Sequence, residues 1–188
     1  MKPIKLQLFV FILLFLVFSK AFGQPKKGES LNVSVGLGVT TCYYDVDTSG
    51  SGFSAEVEYF WAPLSWFGVK PYAGVIFAHS ESEKNEMFEA KVRTKAFLVG
   101  TKIRIAAPIP YVAPYIESGF GLSCGSFETF VAGHYDIDKS GIYPHIPLTL
   151  GLAVGRKHNF DIKLSYYFQD SAKQIYGSAA VGFSFPLD

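Results

Sequence analysis

The chain alternates between apolar and polar residues over long stretches. Leu31, Val33, Val35, Leu37 and Val39 are separated by Asn32, Ser34, Gly36 and Gly38, with Thr40 following. A period of two puts the two sets on opposite faces of an extended strand, one bulky and apolar, the other small and polar. Similar alternation runs through 53–61, 69–77, 97–105, 112–122, 142–154, 160–168 and 175–185. These make eight segments, each about 10 to 13 residues long with their flanks. Ordinary strands run to about five or six residues, whereas a tilted strand crossing hydrocarbon needs about 9 to 11.

The connections are uneven. Those at 42–52, 79–91 and 124–141 are long and polar, while those at 62–68, 106–111 and 155–159 are short. The last connection, 170–173, is short but falls on the side of the long ones. Short turns at one rim and long loops at the other are expected of membrane barrels, with both termini at the short-turn side. The expected fold is all-β, an eight-stranded antiparallel up-and-down transmembrane β-barrel. Aromatic residues strengthen this reading. Tyr59, Trp61, Trp66, Tyr111, Phe160, Phe183 and Phe185 gather toward one rim, and Tyr43, Phe53, Phe77, Phe120, Tyr166 and Phe168 toward the other. Such girdles mark the two membrane–water interfaces.

The N-terminus indicates the compartment. Lys2 and Lys5 precede an apolar run from 6 to 18 broken only by Gln7, and Ala21-Phe22-Gly23 offers small residues at a cleavage site. This is the layout of a secretory signal peptide over 1–23, leaving a barrel domain over 24–188. The apolar run is too short for a spanning helix, which needs about 20 residues. The first 23 residues hold three of the 17 basic residues and none of the 16 acidic ones, so the exported chain is near neutral. That balance excludes nucleic acid as an expected partner.

The face carrying Gly, Ser, Ala and Thr also carries the strand charges. Glu56, Glu58, Lys70, Lys102, Arg104, Glu117 and Lys163 all project to the expected lumen. Buried charges persist when paired, so a structural plug of ion pairs is expected there. Eight strands leave an interior just filled by side chains. Cys42 and Cys124 are a candidate disulfide in an oxidising compartment, although strands one and five stand on opposite walls and a bridge needs Cα atoms within about 7 Å. His134, Asp136 and Asp138 form a loop cluster, read as solvated, and no metal or cofactor is expected. A hydrolytic centre needs Ser, His and an acid within reach of one another. His79 and Glu81 share a face but Ser82 falls opposite, so a serine from a neighbouring strand would be required, and the sequence singles none out; an enzyme is not expected.

These features resemble the small outer-membrane barrels of the OmpA/OmpX type. The resemblance rests on the signal peptide, the eight alternating segments, Ala55-Glu56-Val57-Glu58-Tyr59, Ala113-Pro114-Tyr115 running into Gly119-Phe120-Gly121, and Val181-Gly182-Phe183-Ser184-Phe185. It implies a monomer in the outer membrane of a Gram-negative cell, surrounded by lipid. The expected role is structural, or surface interaction with an extracellular ligand through loops 42–52, 79–91 and 124–141, because loops on rigid scaffolds carry binding. A narrow porin-like solute pore and a lipid-modifying barrel enzyme are the alternatives.

Overall fold

The structure, a computed structural model, describes residues 28–42, 49–80, 90–131 and 135–187. The signal-peptide segment 1–23 lies outside the described residues, as do 43–48, 81–89 and 132–134, and with them Tyr43, Glu81, Ser82 and His134. The strands are β1 (Gly28–Cys42), β2 (Ser49–Ala62), β3 (Phe67–His79), β4 (Ala90–Ala106), β5 (Val112–Val131), β6 (Tyr135–Val154), β7 (Phe160–Gln169) and β8 (Gln174–Pro186). Each pairs antiparallel with its neighbours in sequence, and β8 closes on β1, so the eight strands form a closed barrel. Closure removes the sheet edges that hydrocarbon could not satisfy. No helix among the described residues is long and apolar enough to cross a membrane.

The register sets the tilt. From Leu37, the row of paired residues through Phe53, Phe77, Lys95 and Ser126 reaches Ser140 on β6. The row in the other direction, through Ala179 and Leu164, reaches Leu150 on β6. The two ends lie ten residues apart on one strand. A stagger of this kind accompanies strands tilted by roughly 35–45°.

The alternation sorts as the sequence implies. Val33, Val35, Leu37, Val57, Val99, Ile103, Ile116, Leu150, Ile162 and Val181 all lie on the exposed outer wall, with Leu37 73% exposed. The inward neighbours Glu58, Lys102 and Glu117 are fully buried. A water-soluble barrel would reverse these faces. At the short-turn rim Tyr59, Trp61, Trp66, Tyr111, Phe160, Phe183 and Phe185 are exposed, and Phe53, Phe77, Phe120 and Tyr166 are exposed toward the other. The turns at the first rim are locked together, with His158 Nε2 donating to the Ile109 carbonyl at 3.1 Å. Gly155 takes a left-handed backbone (φ 102°) in that turn, where a side chain would be strained.

One element corrects the sequence reading. The segment 124–141, expected as a loop, is mostly strand. β5 and β6 stay paired from Cys124↔Ile142 up to Val131↔Tyr135, and β4 follows β5 to Ala90↔Val131. The expected loops 42–52 and 79–91 likewise give up residues 49–52 to β2 and 90–91 to β4. The reason is physical. Beyond the apolar band the outer face meets water, so the hydrophobic alternation stops while the backbone ladder continues.

Candidate functional site

The lumen is filled in layers. Toward the short-turn half stands a continuous network of charges on five strands. Lys70 donates to Glu58 at 2.5 Å and to Glu117 at 3.0 Å. Lys102 donates to Glu56 at 2.6 Å and to Glu58 at 2.8 Å. Lys163 lies 3.1 Å from Glu56 and 3.2 Å from Glu58. Arg104 donates through Nε to Glu117 at 2.6 Å and lies 3.3 Å from Asp161 through Nη2. All seven charged lumen residues singled out from the sequence meet here, at 0–6% exposure.

Asp161 is the eighth member, and the sequence reading does not select it. Its signal is present: it alternates with Lys163 on the inward face of β7. It lies second in β7, on the small and polar side of the 160–168 alternation, but is not counted among the lumen charges expected from the sequence. With it, four acids face four bases. Asn32 Nδ2 donates to Asp161 Oδ2 and to Ser184 Oγ, each at 2.8 Å, tying the network to the β1–β8 seam. Aromatic faces complete the shell, with the Arg104 guanidinium 3.6 Å from the Tyr115 ring centre and the Lys102 ammonium 4.4 Å from that of Tyr72.

Above the charges lies a neutral layer. The Tyr72 hydroxyl and His145 Nε2 are 2.5 Å apart, His145 Nδ1 and Ser123 Oγ are 2.8 Å apart, and Gln169 Nε2 donates to Ser123 Oγ at 3.2 Å. This Ser–His contact escapes a reading of the sequence because its partners lie 22 residues apart on neighbouring strands. It is no exposed nucleophile. Both residues are buried, and the second imidazole nitrogen engages a tyrosine rather than a carboxylate. Higher still, Ile76, Leu98, Phe127 and Tyr176 form an apolar plug, and Gln174 accepts from Thr94 at 2.8 Å. Within the charged layer, a void of about 10 Å³ beside Ser34, Ser54, Glu56, Lys163 and Tyr167 holds about one water at most.

The upper mouth carries the tongue of β4, β5 and β6. Pairing of β6 with β7 begins at Ile146↔Phe168, so among the described residues no strand pairs with the far edge of β6 above that point. Lys139 folds over the mouth and donates to the Ser171 carbonyl at 2.8 Å. Cys124 is a free, exposed cysteine, so the candidate Cys42–Cys124 disulfide is absent from this structure. The two residues sit on β1 and β5, which are not neighbouring strands. Asp136 and Asp138 belong to β6 rather than to a loop.

An apolar outer wall, a closed eight-stranded ladder and a side-chain-filled interior define a small transmembrane β-barrel of the outer-membrane kind. Three solved structures are similar to the chain, and the first shares its fold. Neisserial surface protein A is 12% identical, with 85% of this chain and 97% of that one covered, at a TM-score of 0.57. The attachment invasion locus protein Ail of Yersinia pestis is 19% identical over 85% of this chain and 99% of its own, at 0.49. The outer membrane enzyme PagL is 16% identical over 83% of this chain and 99% of its own, at 0.48. No protein-family model and no curated protein sequence matches the chain.

Proposed function

We propose that the protein is a non-enzymatic outer-membrane barrel that presents an extracellular contact surface, exported by its segment 1–23 and held as a monomer in lipid. The observation that carries this reading is the tongue: three paired strands continue past the apolar band to Ala90, Val131 and Tyr135. A strand edge left open above the membrane is a template for an extended segment of a partner. The barrel beneath serves as a rigid base. Among the described residues the ion pairs, the His145 layer and the Phe127 plug fill the interior in succession, which supports a closed, non-catalytic barrel over a pore. The charge network of Glu56, Glu58, Lys70, Lys102, Arg104, Glu117 and Lys163, joined by Asp161, has a structural role in this reading.

The test shortens the tongue. Deleting 129–137 and joining Glu128 to Asp138 through an Asn-Gly turn keeps a register pair the structure already contains. Vesicles bearing either form are scored for retention on immobilised extracellular-matrix protein. The expected result is retention by the full barrel and loss by the shortened one, with heat-modifiable gel mobility retained by both. Equal retention would overturn the reading, and so would release of fatty acid from surrounding lipid by the full barrel.

A further inference from the structure

The outward face of β4 changes character within one step. Ile105, Ile103, Thr101, Val99 and Phe97 face outward, and the next two outward positions are Lys95 and Arg93. Val92, Thr94 and Ala96 between and beside them are buried, which fixes the cations on the outer wall. Ile105 to Lys95 is ten residues along one strand, close to the crossing length of a tilted strand. The two cations therefore stand where hydrocarbon gives way to headgroups.

Their neighbours leave them available. Lys95 is paired in register with Phe77 and Ser126, and Arg93 with His79 and Glu128. Glu128 approaches Arg93 only to 3.9 Å, with both side chains about a third exposed (37% and 30%), a geometry that contributes little. Arg93 Nε is itself buried and has no hydrogen-bond partner among the described residues, so it is the partly exposed outer end of the guanidinium that a ligand would meet. Lys95 makes no ion pair among them either. The two residues are two positions apart, about 7 Å along the strand, within reach of one tetrahedral anion. Phe77 beside Lys95 and Phe97 below it are about half exposed and supply an apolar floor. Thr41 on β1, Ser51 on β2 and Ile175 on β8 carry no charge, and Glu128 with its register partner Asp138 puts carboxylates on the β5–β6 side, so the cations form a sector bounded by acids and not a ring.

The geometry points to a binding site for the phosphate of a membrane lipid headgroup, held by Arg93 and Lys95 with His79 beside them and its acyl chains against Phe77 and Phe97. This rests on the reading above that the tongue end is the outer rim of a membrane-spanning barrel. A guanidinium offers a planar pair of donors that matches phosphate oxygens, and an ammonium adds a point charge. A lipid source is favoured over free phosphate because the floor of the site is apolar and faces hydrocarbon.

The experiment uses the full barrel in phosphatidylcholine vesicles doped with diphosphoryl lipid A or with the same lipid stripped of its phosphates. After gentle extraction, bound lipid is counted by native mass spectrometry. The wild type is expected to retain the phosphorylated lipid at least about tenfold over the stripped one. R93Q/K95Q is expected to lose that preference, while K173Q at the β7–β8 turn, across the barrel mouth, keeps it; tenfold is about 1.4 kcal/mol. Equal retention of the two lipids, an unchanged preference in R93Q/K95Q, or displacement by millimolar inorganic phosphate alone would overturn the site. Heat-modifiable mobility of each protein in the vesicles is read in parallel. An uninserted wild-type barrel would overturn the membrane reading itself, whereas an inserted barrel without selectivity overturns only the phosphate site.

Discussion

Lys70 and Lys102 occupy directly opposite positions on β3 and β4, two buried ammonium groups in one register pair. Like charges placed this way repel. Glu58 resolves the conflict by accepting from both, at 2.5 and 2.8 Å, with Lys163 3.2 Å from the same carboxylate. Glu58 is therefore the residue on which the neutrality of the plug turns. Glu58→Gln keeps the shape but leaves three cations facing too few acids. Breaking a buried pair from one side costs about 3–5 kcal/mol, and the expected loss is of that order. Urea unfolding in phospholipid vesicles, followed by tryptophan fluorescence, measures it. Glu58→Gln combined with Lys102→Met restores the charge balance and should recover part of the loss. A double variant as unstable as the sum of its singles would contradict this account.

Arg104 does three things that a lysine cannot do together. It donates to Glu117, reaches Asp161 with a second nitrogen, and places its guanidinium carbon 3.6 Å from the centre of the Tyr115 ring. Arg104→Lys keeps the charge but loses the fork and the stacking face. The expected cost is about 1–3 kcal/mol, in the range of a charged hydrogen bond, seen as a lower urea midpoint without loss of heat-modifiable mobility. Tyr115→Leu added to Arg104→Lys should cost less than Tyr115→Leu in the wild type, because the stacking partner is already gone.

Gly121 makes room for the neutral layer. A Cβ there would meet the Tyr72 hydroxyl and the His145 ring, the two groups that hydrogen-bond to each other. Gly100, its register partner, borders the same hydroxyl. Gly121→Ala is thus an overpacking change, expected to destabilise by about 1–3 kcal/mol. Pairing it with Tyr72→Ala, which empties the space, should return part of that energy. If Gly121→Ala were neutral in urea unfolding, the layer would be looser than the structure places it.

The fold is legible wherever two solvents touch one strand. Leu37 and Asn32 differ because one lies on the exposed apolar wall and the other in a packed lumen, and the sequence records that contrast as period two. The contrast vanishes in the tongue. Around Ser126 and Glu128 the outer face meets water, so the strand continues without an apolar signature and reads as loop 124–141. In the charge network the inward face can be assigned by parity alone, which locates Glu56, Glu58 and Lys163. Parity does not tell which acid meets which base. That depends on the ten-residue stagger, which brings Arg104 to Asp161 across 57 positions of sequence. Ser123 and His145 elude the sequence for the same reason. Each is unremarkable alone, and only the β5–β6 register puts them 2.8 Å apart.

Closure of the lumen is a property of side chains, so it can be undone without touching the backbone. The wild type is expected to show no steady current in planar bilayers, since the charges, the His145 layer and the Phe127 plug lie in series. The weakest wall is the one lined by small residues, Ser34, Gly36, Ser54, Ser165 and Ser178, where Glu56, Lys163, Tyr167 and Leu98 occupy the space. Removing Glu56 and Lys163 together takes away one acid and one base, leaving the remaining charges balanced. E56A/K163A should therefore fold and yield brief, small openings, while K163A alone should lose stability because Glu56 and Glu58 each lose a partner. Ion current recorded at fixed voltage, with gel mobility as the folding control, checks both. A large, constant conductance from the wild type would mean that the layers are not sealed and that the barrel is a pore.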